Sequence, residues 1–533
     1  RLLPIGLHLK PEQTLRRFRP PAAQGPEPAG SGRSRGVHAV EFTRRRLLRN
    51  GLIGGGVIVL PVAQFARTAI SAESDLTISS PPVARFAVPL AIPPTITPTR
   101  SEGTTDFYDV TEFATEATIL PGLRTPVWTY NGTTPGPTFD TVKGRVSQVT
   151  ITNHLGVPTT THLHGGDTPP EFDGHPLDLV QPGTSFTHVY PGDNSAATLW
   201  YHDHAIHATG RNVWMGLAGF FLVRDDIELG LGLPKGPPFE IPLVIQDRLF
   251  NPDGSLFYPE KEPGLPVRQG AFGDVILVNG TPFPFLRVQR RKYRFRLLNG
   301  SNARFYQLEL STGDPITVIG SDGGFLEHPV QTPDLFMAEA ERYDVIIDFA
   351  KYPIGTQVVL RNTIAPDPFG DPVDPDKIRE VMRFDVVADA DSDFDIPADL
   401  GPGPIADPAD AIGTRDWEFE RRHGAWVVND ELFAADRIDA FPRFGTTEIW
   451  RFINRSGGWL HPIHPHLVEF RMLDRNGRPP KPYETGPKDV VALGPNETIR
   501  VAMKFVDFRG TYVFHCHNIE HEDHDMMTQF QVV

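Results

Sequence analysis

The stretch HCHNIEHEDHDMM, residues 515–527, contains the only cysteine of this 533-residue chain. A lone cysteine cannot form an intramolecular disulfide, so Cys516 is a buried structural thiol, a nucleophile or a metal ligand. Packing is the ordinary role of a free cysteine. A Cys-His nucleophile explains neither the second flanking histidine nor the nearby methionine. The neighbours of Cys516 therefore favour a metal site.

The residues just before this stretch predict how its side chains point. TYVF, residues 511–514, is β-branched and aromatic, which is typical of a strand. Because side chains alternate along a strand, His515 and His517 should share one face while Cys516 points to the other. One strand would then serve two metal sites. Thiolate, imidazole and a weak thioether form a blue-copper electron-transfer centre, which His521 and Met526 could complete.

A threefold repeat organises the chain that carries this stretch. The repeats open at Asn131, Asn279 and Asn429, which are 148 to 150 residues apart. Each leads into a segment of alternating apolar and polar residues, which indicates a half-buried strand. Glycine- and proline-rich stretches near residues 230 and 395 separate the repeats. We predict three β-sandwich domains, at residues 75–228, 239–392 and 405–533.

Paired histidines occur in the first and third repeats but are absent from the middle one. The four segments are THLHG (161–165), WYHDH (200–204), HPIHPH (461–466) and FHCH (514–517). A single HxH pair is a weak signal, since the chain has 19 histidines. Four pairs in equivalent positions of two repeats predict a shared site of eight imidazoles between the first and third domains. The middle domain is then expected to be a spacer without metal ligands.

Composition and charge narrow the possible partners. The 53 prolines and 49 glycines favour a turn-rich β architecture. The net charge is −15, but residues 1–72 hold twelve Lys or Arg against three Asp or Glu, which leaves −24 for the remainder. Such an acidic body argues against nucleic acid or an anionic membrane as a partner.

The basic front end has its own explanation. TRRRLLR, residues 43–49, precedes an apolar run at 51–66 and small residues near 72. This order is typical of a twin-arginine export signal, so we expect residues 1–72 to be a disordered lead plus a signal peptide. The alternative is a basic patch before a short buried helix. The run is too short to predict a stable membrane span. Export would place the mature protein in the periplasm or outside the cell.

The four histidine segments resemble the copper-binding signatures of the three-domain multicopper oxidases, and the resemblance covers roughly residues 75–533. TPPEFDGHP (168–176) and HEDHDMM (521–527) are most similar to the branch of bacterial spore-coat laccase, bilirubin oxidase and phenoxazinone synthase. The resemblance implies an all-β fold of three cupredoxin-like Greek-key β-sandwich or barrel domains. It also implies four copper ions, one of type 1, one of type 2 and a type 3 pair.

The resemblance assigns a role to each matching residue. The type 1 ligands would be His461, Cys516, His521 and axial Met526. The type 2 ligands would be His162 and His464. The type 3 ligands would be His164, His202, His204, His466, His515 and His517. Electrons would enter at an exposed ring edge of His521, and Glu522 and Asp173 stand where the family has proton-relay carboxylates. The one departure is Pro465, which would stiffen a turn between two ligands.

The activity implied is that of a laccase-like oxidase. Such an enzyme couples one-electron oxidation of phenolic, aminophenolic or bilirubin-like donors to the four-electron reduction of O₂ to water. A cuprous or manganous ion oxidase is the alternative, but such enzymes tend to carry methionine-rich segments and this chain has seven methionines. A copper-free scaffold would lack ligands, and a copper nitrite reductase would not need the type 3 histidines. We expect a monomer whose partners are O₂ and a small aromatic reductant.

Overall fold

A computed structural model describes residues 78–533, apart from 263–264, 267–268, 365–372 and 404, and apart from the side chains of 261–268. The predicted lead and signal at residues 1–72 lie outside the described residues. Strands dominate this part of the chain, as the sequence predicts. None of its helices combines the length and the apolar character that crossing a membrane requires.

The first domain is a sandwich of two sheets. Its strands are β1 (Arg100–Glu102), β2 (Thr105–Ala117), β3 (Thr125–Tyr130), β4 (Gly136–Val142), β5 (Val146–Asn153), β6 (Thr161–His164), β7 (Ser185–Tyr190), β8 (Ala197–Asp203) and β9 (Ala218–Arg224). One sheet has the order β1-β2-β5-β7, with β3 paired to β2, and the other has the order β4-β9-β8-β6. Its helices are α1 (Thr209–Met215), α2 (Asp226–Gly230) and a 3-10 turn, Pro170–Phe172.

The middle domain has the largest sheet, β14-β13-β10-β16-β21-β18-β19, packed on β15-β23-β22-β17-β20. Its strands are β10 (Glu240–Arg248), β11 (Glu260–Glu262), β12 (Leu265–Pro266), β13 (Val275–Val278), β14 (Thr281–Pro282), β15 (Phe285–Arg290), β16 (Lys292–Asn299), β17 (Tyr306–Leu310), β18 (Ile316–Ser321), β19 (Gly324–Thr332), β20 (Leu335–Met337), β21 (Arg342–Asp348), β22 (Gln357–Asn362) and β23 (Glu380–Asp389). Its helices are a 3-10 turn, Phe349–Lys351, and α3 (Pro375–Ile378).

The third domain pairs the sheet β25-β24-β26-β30-β28 with the sheet β29-β27-β31-β32. Its strands are β24 (Ala411–Arg422), β25 (Ala425–Val428), β26 (Thr446–Asn454), β27 (His461–Pro465), β28 (Phe470–Arg475), β29 (Val491–Leu493), β30 (Thr498–Phe505), β31 (Gly510–Cys516) and β32 (Met527–Val532). Its helices are α4 (Ile519–Asp523) and two 3-10 turns, Pro408–Asp410 and Pro482–Glu484. Pro465 ends β27 opposite Phe514. The sequence had suggested a turn at this position, and that prediction is wrong.

The repeat seen in the sequence is a repeat of structure. Asn131, Asn279 and Asn429 each have φ of 51°, a left-handed conformation that asparagine tolerates better than most residues. Each carboxamide oxygen accepts a backbone N–H from the first long strand of its domain, at 2.8, 2.9 and 2.7 Å. The closing strands β5, β16 and β26 each pair in parallel with that same first strand. The three-domain fold is thereby confirmed, while the residue-level boundaries remain predictions.

Apolar packing holds the three domains together. The core of the third domain includes Cys516 and Met526. A separate buried cluster joins Trp200 of the first domain, Val244 of the middle domain and Val490 of the third. Since burial of apolar surface favours association, this shared cluster fixes the three domains around one point. The histidine segments lie beside that point.

Candidate metal centre

Strand register brings the paired histidines face to face within each domain. In the first domain, β6 and β8 are antiparallel and His162 lies opposite His202. In the third domain, β27 and β31 are antiparallel and His464 lies opposite His515. Directly opposite residues point to the same face of a sheet. Each domain therefore presents one histidine-rich sheet face.

The two faces meet, and the eight histidines form three groups. In each group the potential ligand atoms lie within 4.8 Å of one another. The groups are His164, His202 and His517; His204, His466 and His515; and His162 with His464, close to His164. The resemblance assigned six of these histidines jointly to the type 3 pair and did not divide them between its two ions. The structure separates them into two triads, each with members from both domains.

Ring stacking joins the two domains at this centre. His162 of β6 stacks on His466 at a centroid distance of 3.8 Å. His164 of β6 stacks on His464 at 3.7 Å. Two rings from one strand thus each pair with a ring of the other domain. The centre cannot form without both domains.

Burial favours the neutral, metal-binding form of histidines such as His202 and His204 at this centre. All eight are at most 1% exposed. Burial lowers the pKa of His202 to about 3 and that of His204 to about 4, with neighbouring histidines contributing. Several ring nitrogens in this part of the chain have no hydrogen-bond partner, namely His164 Nδ1, His202 Nε2 and both nitrogens of His517. Buried lone pairs without partners fit a bound cation.

Hydrogen bonds fix which nitrogen faces inward in the His162 and His202 rings. His162 Nδ1 donates to the Asp173 carbonyl at 2.6 Å, and His202 Nδ1 donates to the Asp203 carbonyl at 2.8 Å. With Nδ1 protonated, Nε2 keeps its lone pair and faces the centre. The Nε2 atom of His515 lies 3.2 Å from the Nε2 atoms of both His204 and His466. These three nitrogens converge on one point.

A second, mononuclear site lies on the other face of β31. Cys516 Sγ is 3.4 Å from His461 Nδ1 and 3.6 Å from His521 Nδ1. The two Nδ1 atoms are 3.3 Å apart. Burial raises the pKa of the Cys516 thiol, so a bound cation would have to displace its proton. The predicted alternation of His515, Cys516 and His517 therefore does place two sites on opposite faces of one strand.

The two adjacent methionines take different sides of the sheet. Met527 begins β32 and lies opposite His515, so its side chain is on the histidine face. Met526 precedes it and packs in the core cluster that contains Cys516. The Met526 backbone carbonyl also accepts the Cys516 N–H at 3.1 Å. Of the two, Met526 is the one on the thiol side, and its role as an axial ligand stays a prediction.

The expected exposed edge of His521 is wrong. His521 lies on α4 and is fully buried. The ring of Trp426 covers it at a centroid distance of 4.0 Å, and Trp459 lies 5.9 Å away. Trp459 is partly exposed whereas Trp426 is buried. Two aromatic rings on other elements thus separate His521 from solvent, which the local sequence around His521 could not reveal.

Both predicted proton-relay carboxylates lie against the histidines. Glu522 Oε2 is 3.1 Å from His515 Nδ1, and Glu522 Oε1 is 3.5 Å from His204 Nδ1. Asp173 Oδ2 accepts from His466 Nδ1 at 2.7 Å. Both acids are buried, so they are not solvated surface groups.

The two acids differ in their proton affinity. Burial raises the pKa of Asp173 well above its ordinary value, opposed by a hydrogen bond from Thr168. Burial also opposes ionisation of Glu522, but the facing imidazoles of His204 and His515 hold its pKa below the usual range. One acid therefore favours the protonated form and the other the ionised form.

One charged residue at the centre was missed by the sequence reasoning. Asp489 Oδ1 lies 3.2 Å from His164 Nε2, and the Asp489 backbone carbonyl accepts from His464 Nδ1 at 2.8 Å. The only local signal is a charged pair, Lys488 and Asp489, directly before the apolar run VVAL. Both charged side chains are fully buried, which is rare without partners.

Comparison with known proteins supports these observations. Three domain models described as multicopper oxidase match residues 113–228, 238–366 and 407–533. A bilirubin oxidase of Albifimbria verrucaria is 39% identical over 475 residues, covering 85% of this chain and 82% of that protein. A laccase of Bacillus stratosphericus is 36% identical, covering 84% and 99%. A laccase structure from Pediococcus acidilactici superposes with a TM-score of 0.78 at 33% identity, covering 86% and 95%.

Proposed function

The chain belongs to the multicopper oxidases, and we propose that it takes electrons from small phenolic, aminophenolic or bilirubin-like donors. It is a laccase-like oxidoreductase that uses O₂ as acceptor and carries four copper ions, one type 1, one type 2 and a type 3 pair. When bound, these ions accept electrons one at a time and deliver four to O₂, which is reduced to water.

We assign the ligands from the geometry and the family together. The mononuclear group of His461, Cys516 and His521, with Met526, would hold the type 1 ion, since it offers one thiolate and two imidazoles. His162 and His464 would hold the type 2 ion. The two triads would hold the type 3 pair, one ion each. Cys516 is joined by one peptide bond to His515 and by another to His517, so the chain links the thiol covalently to both triads.

The aromatic cover of His521 supports an aromatic donor. The Trp426 ring lies tilted over His521, and the partly exposed Trp459 packs edge-on against Trp426 at a centroid distance of 5.4 Å. A planar organic molecule can pack on such a surface, whereas a metal ion needs hard or sulfur ligands there. All seven methionines lie within the described residues and only Met215 is not buried. Six of the seven methionines are therefore buried and offer no thioether at the surface.

A steady-state screen tests the donor class. The copper-loaded enzyme would be assayed with phenols, aminophenols, bilirubin, Mn²⁺ and Cu⁺ under air. We expect the highest kcat/KM values for the organic donors. The Cys516→Ser variant serves as the blank for uncatalysed oxidation. Higher kcat/KM values for Cu⁺ or Mn²⁺ than for every organic donor would replace this proposal with a metal-ion oxidase.

We further propose that Glu522 and Asp173 hold and release the protons that oxygen reduction consumes. Their contacts with His204, His515 and His466 place both carboxyl groups at the centre. Glu522→Gln should keep all coppers and the blue colour and should reduce rapidly with donor, yet reoxidise slowly in O₂. Stopped-flow reoxidation at the wild-type rate across the working pH range would remove Glu522 from proton delivery.

Export and oligomeric state complete the proposal. The order of TRRRLLR (43–49) and the following apolar run supports export by the twin-arginine route to the periplasm or beyond. Replacing Arg45 and Arg46 by lysine should retain the protein in the cytoplasm of an expressing bacterium. Secretion of this variant at the normal level would reject the assignment of residues 43–49 as an export signal. Light scattering of the purified protein is expected to give the mass of one chain.

A further inference from the structure

We propose that Arg342 of the middle domain is a positioning residue for the histidine centre of the first and third domains. The proposal rests on the assignment of these histidines to copper given above. It changes the role expected for the middle domain, which was predicted to be a spacer. One buried guanidinium, that of Arg342, contacts all three domains.

Arg342 begins β21 and is fully buried. Its Nε donates to the Thr198 carbonyl at 2.9 Å, on the same strand as His202. Its Nη1 and Nη2 donate to Asp489 Oδ1 and Oδ2 at 2.6 and 2.5 Å, a bidentate pair with the third domain. A planar guanidinium allows this fork geometry, which a lysine ammonium cannot reproduce.

Asp489 transmits this constraint to two metal-site histidines. Its Oδ1 lies 3.2 Å from His164 Nε2, and its backbone carbonyl accepts from His464 Nδ1 at 2.8 Å. These contacts direct His164 Nδ1 inward, where it has no hydrogen-bond partner among the described residues. They direct His464 Nε2 inward as well, 3.5 Å from His162 Nε2. Asp489 therefore selects the nitrogen that each ring offers to copper.

Arg342 is itself fixed by a buried network that joins the middle and third domains. Asp322 Oδ1 accepts the Arg342 backbone N–H at 2.8 Å, and Asp322 Oδ2 pairs with Lys488 Nζ at 2.9 Å. Lys488 Nζ also lies 3.0 Å from Glu341 Oε1. These four charged groups are at most 1% exposed. The guanidinium thus has little freedom to relocate, and the group that holds its backbone N–H, Asp322, belongs to the domain without ligands.

Stability alone does not explain this network. Buried ion pairs are often no more stabilising than apolar residues of the same volume, because desolvation offsets the attraction. Orientation of ligands is a use that apolar residues cannot supply. Mutation of a residue that holds a metal ligand through a hydrogen bond typically lowers metal affinity or activity by about 10- to 100-fold.

The chain offers a matched control in Arg294. It is equally buried and pairs with Asp344, its Nε lying 3.0 Å from Oδ1 and its Nη2 2.5 Å from Oδ2. Its ion-pair partners are Asp344, Glu228 and Glu240, and no histidine is among them. Arg342→Lys and Arg294→Lys both keep the charge and break a buried fork. The two variants differ in whether the fork reaches the histidines.

The test is a copper titration of the full-length apo-protein, followed by copper analysis and electron paramagnetic resonance. Arg342→Lys and Asp489→Asn should each weaken copper binding at the histidine centre about 10- to 100-fold and alter the type 2 signal. The blue type 1 band should be unchanged, since no group of the network contacts Cys516. The double variant should be less than additive, because both changes break one pair. Arg294→Lys should bind copper like the wild type.

Three results would overturn the proposal. Wild-type copper affinity and type 2 signal in Asp489→Asn would do so even if Arg342→Lys fails to fold. Equal weakening by Arg294→Lys would indicate general rigidity instead. Full additivity in the double variant would show that the two residues act separately. His464→Gln distinguishes a failure of the ligand assignment, because an unchanged type 2 signal in that variant would reject the assignment itself.

Discussion

Cys516 ends β31 with its sulfur in the core of the third domain, while its two chain neighbours enter different histidine triads. The sulfur lies 3.4 Å from His461 Nδ1 and is the one thiol of the chain. At the scale of single residues, one side chain is therefore both the proposed type 1 ligand and the link to the triads. Serine has nearly the same shape but no soft sulfur donor.

Replacing Cys516 by serine should abolish the blue colour and donor oxidation together. Thiolate-to-copper charge transfer gives the colour, and the same sulfur begins the covalent link to His515 and His517. Visible spectra and oxygen uptake of the copper-loaded variant measure both. Substantial oxidase activity in a colourless variant would contradict the assignment of Cys516.

The side preference of the two methionines predicts a difference in potential. Met526→Leu should raise the type 1 reduction potential, because loss of a weak axial donor destabilises the oxidised ion more than the reduced ion. Met527→Leu is the control, since Met527 faces the side of His515. Redox titration of both variants measures the shift. A larger shift for Met527→Leu would transfer the axial role to that residue.

At the scale of elements, a turn between two strands brings Asp173 to the histidines. The segment that follows β6 returns to its own strand at Gly174, whose φ is +77°. A Cβ there would lie 2.2 Å from the Thr161 carbonyl oxygen and 2.7 Å from His162 Cα. This close approach keeps Asp173 against His162 and His466. Gly183 has nearly the same φ, +79°, but a Cβ there meets no atom within 4 Å.

These two glycines separate backbone strain from steric displacement. Gly183→Ala should cost about 1–2 kcal/mol through the left-handed conformation alone. Gly174→Ala should cost more, since the added Cβ pushes the turn away from β6, and it should also reduce copper at the type 2 site. Urea denaturation and copper analysis measure the two effects. Equal stability loss and full copper content in both variants would show that the turn has no such role.

At the scale of the whole molecule, the buried histidines make folding sensitive to pH when copper is absent. Burial lowers the pKa of His461 and His202 to about 3 and that of His204 to about 4. In the unfolded chain each of these histidines has a pKa near 6.5. Below that pH the unfolded chain therefore binds protons that the folded chain does not. The contribution of these groups to the free energy of unfolding is fully present above about pH 6.5 and is lost as the pH falls toward 4.

The apo-protein should therefore lose on the order of several kcal/mol of unfolding free energy between about pH 6.5 and 4. Thermal melts at a series of pH values measure this. His461→Gln should reduce the slope, because it removes one of the buried rings whose pKa is lowered. An apo-protein whose melting temperature is flat from about pH 7 to 5 would contradict the argument.

Much of this protein follows from its sequence. The repeat at Asn131, Asn279 and Asn429 predicts the three domains, because these residues occupy one conformation that repeats with the fold. The alternation around Cys516 predicts two sites on one strand, because the pleat of a strand reverses at every residue. The chemistry of the donors is a property of the residue types themselves. These features are local, so a single sequence contains them.

Only the tertiary structure decided which histidines lie together, what covers His521 and what orients His164. The Asp489 oxygen that contacts His164 belongs to a residue 325 positions later, and the Arg342 fork closes a separation of 147 positions. Such contacts arise when separately folded sandwiches dock through apolar clusters, and no spacing or periodicity in the chain specifies the docked geometry. The sequence therefore predicts the ligands, whereas the packing of the three domains determines their grouping, their burial and the charges that position them.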